Sequence, residues 1–379
     1  MFRMTTLLCT LAAIGTATAG ASPRRIVCEL ESLPMPQRQP AAERLLADHP
    51  VNPVRLPGTD SFLMLYAGPG RDLQLVGDFT DWQPRIPLTH IQGTNLWYHE
   101  LEFPGDVRVD YKFVRDGTWL LDPRNPLTCM SGFGPNSELR GAAYREPPFA
   151  GAPDGAGTCR LDTLRIQTPQ LGGARTGVVV VPPGGDRPDR RYLLVHDGLE
   201  YVSIARLAQA MTWLAAEAPD VRLPICVCIP PGRRTEEYAT TLQDEFGAFV
   251  VDTLIPLIEE RYGERGRWGT MGPSYGGRIC LHLAHTYPDH FDRVAAMSPS
   301  VSTREHQGIA GLDPATLKFY VNWGRYDIQR LIPGCEGFVK MLDNKGFEHL
   351  VDVRPQGHSW GFWRDALIPA LTYLYSETE

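Results

Sequence analysis

The chain has 379 residues, of which 43% are hydrophobic and 21% charged, enough apolar content for two or three domains with full cores. Its 44 acidic residues outnumber the 37 basic ones and leave a net charge of −7. With no long basic run, this argues against nucleic-acid partners and against docking on anionic membranes.

Arg3 precedes an apolar run from Leu7 to Ala13, and Ala17-Thr18-Ala19 offers an A-x-A cleavage site. This reads as a secretory signal peptide over residues 1–19, and so as a periplasmic or secreted protein. The run is too short for a membrane span, and no other stretch approaches about 18 apolar residues. In the N-terminal segment 20–58, Gln39–Asp48 reads as a short helix, stopped by Pro50, Pro53 and Pro57.

Residues 59–145 have a β character. The runs Ser61–Tyr66, Leu73–Gly77, Leu96–Leu101 and Val109–Val114 are separated by Gly68-Pro69-Gly70, Pro104-Gly105 and Asp116-Gly117. Short strands at this spacing argue for an all-β immunoglobulin-like sandwich. Residues 146–160 are rich in Pro, Gly and Ala and read as a linker. Eight strands are expected beyond it, at 161–168, 176–181, 191–196, 223–229, 266–271, 293–297, 316–322 and 348–353. Helices between most of the later ones imply an α/β domain over 161–379 with a mostly parallel sheet.

Within that domain, Gly272-Pro273-Ser274-Tyr275-Gly276 has the G-x-S-x-G pattern of a nucleophile elbow. A strand-like run precedes it and an apolar helix follows, which would project the Ser274 oxygen from the top of the sheet. A serine hydroxyl needs a histidine to take its proton and a carboxylate to orient that histidine. His358 follows the last strand, where strand ends face the nucleophile, and Asp327 follows the strand before it. Asp327 has a second reading as a helix N-cap. The oxyanion hole would use the Tyr275 amide and an amide in the loop Gly198, Leu199, Glu200. Cys226 and Cys228 alternate onto one face of a buried strand. The cysteines show no zinc spacing and no disulfide framework, although one bridge among Cys28, Cys129 and Cys159 stays open.

On the motifs H-D-G-L-E-Y at 196–201, R-T-E-E-Y at 234–238, G-P-S-Y-G-G at 272–277, W-G-R-Y-D at 323–327 and G-H-S-W-G-F-W-R at 357–364, the C-terminal part resembles the putative esterase (esterase D-like) family of α/β-hydrolases. It is most similar to the enterochelin esterases. The resemblance implies an α/β-hydrolase fold with Ser274, Asp327 and His358 as nucleophile, acid and base. Arg234 matches an arginine near the active-site mouth, and is either a substrate anchor or a solvated charge. Trp360 and Trp363 either line the acyl pocket or pack the last helix, expected over Phe362–Tyr375. G-D-F-T-D-W at 77–82 and Y-K-F-V-R-D-G-T-W at 111–119 resemble a glycogen-binding, isoamylase-type domain. That likeness makes Trp82, Lys112 and Trp119 candidate sugar contacts, or else framework residues.

The expected activity is serine-dependent hydrolysis of a carboxylic ester with no metal or organic cofactor. The substrate is either a siderophore trilactone with its linear catecholate-serine esters, or a feruloyl or acetyl group on plant polysaccharide. An inert glycan-binding protein and an acyltransferase are the remaining readings.

Overall fold

The computed structural model describes residues 23–56, 60–83, 86–153, 155, 157–185 and 190–376. The expected signal peptide and Cys9 lie outside the described residues.

Alternation in the strand Ser61–Ala67 organises the N-terminal part. Phe62, Met64 and Tyr66 point into a core between two β-sheets. Leu63 and Leu65 point the other way, against the helices Pro23–Ser32 and Met35–Asp48. Both faces are therefore covered, which explains the unbroken apolar run. The helix expected over Gln39–Asp48 begins four residues earlier, and the helix before it was not foreseen.

One sheet of this β-rich region has four strands, and Ser61–Ala67 pairs antiparallel with Leu96–Glu102 at its centre. The other is centred on Arg108–Arg115, which pairs antiparallel with Leu73–Gly77 and Gly134–Arg140. Asp116 and Gly117 both have positive φ, 48° and 82°, and close the tight hairpin to Thr118–Leu120 as a primed turn requires. Residues 141–159 form neither helix nor strand among those described.

All eight strands expected in the C-terminal part are present. In chain order they are Arg160–Thr168, Gly173–Val181, Tyr192–His196, Ile225–Ile229, Trp268–Pro273, Phe291–Met297, Lys318–Tyr326 and Glu348–Gly357. Their order across the sheet swaps the third and fourth. The first two pair antiparallel, the second meets the fourth antiparallel, and every later pairing is parallel. Helices cover both faces, so Leu193 and Val195 enter one core and Leu194 the other. Cys226 and Cys228 share a face as expected.

The expected final helix is two, Trp360–Asp365 and Leu367–Tyr375. Pro369 has no N–H to offer the carbonyl of Asp365, and Arg354 Nη1 donates to that oxygen instead, at 3.1 Å. All seven described cysteines are free thiols, so the bridge left open among Cys28, Cys129 and Cys159 is not formed.

The last strand joins the two parts. Gln356 pairs with Arg108, so the C-terminal sheet runs on through Arg108–Arg115 into the β-rich region.

Candidate active site

The strand Trp268–Pro273 ends at Ser274 and the helix Tyr275–Thr286 starts immediately. Ser274 has φ 59° and ψ −118°, a backbone conformation that L-residues adopt at a cost of about 1–3 kcal/mol and that concentrates at functional sites. The turn is held from outside, because the Ser274 amide donates to the Met297 carbonyl at 2.7 Å. The flanking glycines of the motif are steric necessities. A Cβ on Gly272 would lie 2.7 Å from the backbone carbon of Gly276, closer than carbon atoms approach.

Asp327 and His358 come together where the seventh and eighth strands end. His358 Nδ1 lies 2.6 Å from Asp327 Oδ1. Asp327 is buried, and its carboxylate also accepts from the Ser298 hydroxyl at 2.6 Å, the Ile328 amide at 2.7 Å and the Gly324 amide at 3.3 Å. Burial alone would raise its pKa. A positive charge on the neighbouring imidazole, when it is protonated, and the hydrogen bonds from His358, Ser298 and Gly324 outweigh it and hold the carboxyl below the usual range. Asp327 is not the cap of the following helix, which starts at Ile332 after Leu331.

Ser298 was not anticipated from sequence. It is fully buried with φ 45° and accepts a 3.1 Å hydrogen bond from the indole of Trp363. The same indole meets the His358 ring edge-to-face, with centroids 5.0 Å apart. Trp360 packs edge-to-face on both Trp363 and Tyr201. Both tryptophans are nearly buried yet line the cavity.

The other loop is positioned by a salt bridge. Arg234 Nε and Nη2 donate to Asp197 Oδ1 and Oδ2 at 2.8 and 2.7 Å, and Nη2 also reaches the Pro273 carbonyl at 3.2 Å. Arg234 is thus a partly exposed charge paired with a buried carboxylate. It ties Asp197 to the elbow, with most of its fork already engaged. Asp197 has φ 52° and precedes the short helix Gly198–Ser203. Tyr201 is the first residue whose amide finds a backbone acceptor there, at the Asp197 carbonyl, while the Glu200 amide meets its own carboxyl group. The amides of Gly198, Leu199 and Glu200 belong to the turn that a helix leaves unpaired. The Glu200 carboxyl lines the cavity, and burial and then the charge of Asp197 raise its pKa.

Ser274 and His358 line one cavity of about 900 Å³, together with Asp197, Glu200 and Arg234. The β-rich region contributes Trp82, Lys112, Trp119 and Phe133 to its lining. Trp82 and Trp119 stack with centroids 6.2 Å apart and planes 17° from parallel, and Trp82 donates its indole N–H to Asp78. The structure thus places the three candidate sugar contacts in the lining of the cavity that holds Ser274.

Residues 168–333, a little under half the chain, match the family described as putative esterase. No curated protein matches the sequence. The fold is similar to the enterobactin esterase of Shigella flexneri solved in the presence of enterobactin, at 17% identity, TM-score 0.66, and coverage of 83% of this chain and 92% of that one. It is similar also to the ferric enterobactin esterase of Salmonella typhimurium, at 16% identity, TM-score 0.68, and coverage of 83% and 93%. With the family match and this fold, the chain is classed as a hydrolase of the esterase type.

Proposed function

We propose that the chain is a serine carboxylic-ester hydrolase of the α/β-hydrolase fold, preceded by an immunoglobulin-like domain, with Ser274, His358 and Asp327 as its triad. The observation that carries this reading is the 2.6 Å contact of His358 Nδ1 with the buried Asp327, beside an elbow serine at positive φ in the same cavity. Asp327 accepts a hydrogen bond from Nδ1–H, which holds the tautomer that leaves Nε2 free as a base. His358 takes the Ser274 proton as the oxygen attacks the ester carbonyl. The developing oxyanion is met by the Tyr275 amide at the start of one helix and by an amide of Gly198–Glu200 at the start of another. The alcohol leaves with the proton from His358, and water then releases the acid by the reverse relay.

The substrate is an ester with an aromatic acyl group, of the catecholate-serine kind found in siderophores. Three features support this choice. The cavity is about 900 Å³. Tryptophans line it from both parts of the chain. The fold match to enterobactin esterases spans 83% of this chain. A feruloyl ester shares the aromatic acyl group and is the second reading. The test presents a linear catecholate-serine ester and methyl ferulate together, with Ser274→Ala as the blank. Preferential catecholate-serine cleavage supports the first reading, dominant ferulate release replaces it with the second, and turnover by Ser274→Ala rejects both.

A further inference from the structure

The loop that carries His358 is built against the β-rich region on alternate residues. At Gly357 a Cβ would collide with the carboxyl carbon of Asp78, and at Gly361 one would collide with the guanidinium carbon of Arg108. Between them, Ser359 Oγ accepts from Arg108 Nη1 at 2.7 Å. The same hydroxyl caps the helix Trp360–Asp365 that places Trp363 against the histidine ring. Thus residues 357, 359 and 361 each touch one of two side chains of the other region, and His358 sits among them.

Those two side chains are unusually well determined. Arg108 is completely buried, with Nη2 2.8 Å from Asp110 and 2.7 Å from Glu138. Glu138 is also paired with Arg140. Asp78 is nearly buried and accepts from the Asp110 amide at 2.8 Å and from the Trp82 indole at 3.1 Å. A buried guanidinium costs several kcal/mol in desolvation unless it is paired and hydrogen-bonded. Its retention at this seam, with one nitrogen spent on the histidine loop, calls for a role beyond cohesion. Hydrophobic side chains would seal the two regions at least as well. A planar fork held by two carboxylates supplies a fixed point from which a hydroxyl can be aimed.

We propose that Arg108 and Asp78 are positioning residues for catalysis, holding the 357–361 loop so that His358 stands at the right distance from Ser274. The β-rich region is therefore part of the catalytic apparatus as well as a wall of the substrate cavity. Trp82, which lines the cavity, donates to Asp78, which abuts Gly357 of that loop. This inference rests on the triad assignment.

The experiment uses the full chain with Ser359→Ala, Gly361→Ala, Arg108→Met and the Arg108→Met/Ser359→Ala pair. Turnover and thermal unfolding are measured on each, with Ser274→Ala in parallel. Small displacements of a catalytic group cost up to about a hundredfold in rate. The expected result is a kcat lowered roughly ten- to a hundredfold with KM within about twofold, and a double variant no worse than Arg108→Met alone, because both act through one contact. A role confined to cohesion would lower the unfolding temperature and leave kcat of the folded fraction intact. If Arg108→Met does not fold, Ser359→Ala and Gly361→Ala carry the test. Folded Ser359→Ala and Gly361→Ala proteins with kcat within twofold of the parent overturn the proposal. Turnover surviving in Ser274→Ala overturns the triad instead, so the two failures are distinct.

Discussion

Ser298 donates its hydroxyl to Asp327 Oδ2 at 2.6 Å, on the opposite carboxylate oxygen from the one facing His358. It links the acid to Trp363, whose indole N–H it accepts. Ser298→Ala removes a hydrogen bond to a charged group, a loss of about 1.5–3 kcal/mol. The pKa of Asp327 is lowered in the folded state, so its stabilisation is present above the unfolded value and lost as pH falls through the folded one. Ser298→Ala shifts the folded value upward. The acid-unfolding midpoint, followed by circular dichroism, should then move to higher pH. Superimposable curves would show that Ser298 does not support the carboxylate.

Asp327→Asn keeps the shape of the site and removes the charge that orients His358. A loss of about 10⁴ in kcat is expected, as for other triads, with KM little changed. Single-turnover kinetics on an activated aromatic ester would check this. Near-normal turnover would place the acid elsewhere.

Trp82 and Trp119 stack on each other in the lining of the cavity that also holds Ser274. Replacing both with alanine should raise KM for an aromatic acyl ester about tenfold, the scale of one or two lost aromatic contacts. Hydrolysis of a small acetyl ester should be unaffected. Equal losses on both substrates would mean that the pair supports the fold and does not contact the acyl group.

Arg175 holds Glu237 through two hydrogen bonds, at 2.9 and 2.7 Å, and Glu237 also accepts from the amides of Gly232 and Arg233. This buried set fixes the segment that presents Arg234 to Asp197. Arg175→Met leaves an uncompensated buried carboxylate and should cost about 3–5 kcal/mol, read as a lower urea midpoint. An unchanged midpoint would show that Glu237 is accommodated without its partner.

His196 and His282 are buried, and desolvation lowers them to about 3 and about 4 respectively. Both are neutral in the folded chain at pH 6. As pH falls below about 6.5, the unfolded chain takes up protons that the folded one refuses. Stability is then lost at up to about 1.4 kcal/mol per pH unit for each histidine, ending near pH 4 for His282 and pH 3 for His196. His282→Gln should flatten the fall in unfolding temperature between pH 6 and 4. An identical slope in the variant would assign the acid sensitivity to other groups.

Local chemistry was legible in the chain. The elbow reads directly, because Gly272, Ser274 and Gly276 must be close neighbours in sequence to make one turn. The central C-terminal strands, such as Tyr192–His196 and Ile225–Ile229, read from unbroken apolar runs because both faces are covered, whereas Arg160–Thr168 and Glu348–Gly357 are partly exposed and carry polar residues. His358 and Asp327 read from their places just after strands. The helix Pro23–Ser32 did not read, because its apolar residues Val27 and Leu30 find their partners on the back of the strand Ser61–Ala67, beyond a second helix.

What tertiary structure alone decided is how the two parts of the chain meet. Nothing local in Arg108 or Asp78 marks them as neighbours of the loop around His358, and Arg108 and Ser359 lie 251 positions apart along the chain. Their contacts exist because the strand Glu348–Gly357 continues the sheet into Arg108–Arg115. The same pairing brings Trp82, Lys112 and Trp119 into the cavity that holds Ser274, a placement that their motifs do not record. Side-chain type and spacing set which groups could react. Long-range sheet pairing set which of them share a cavity, because that depends on contacts whose sequence separation no motif records.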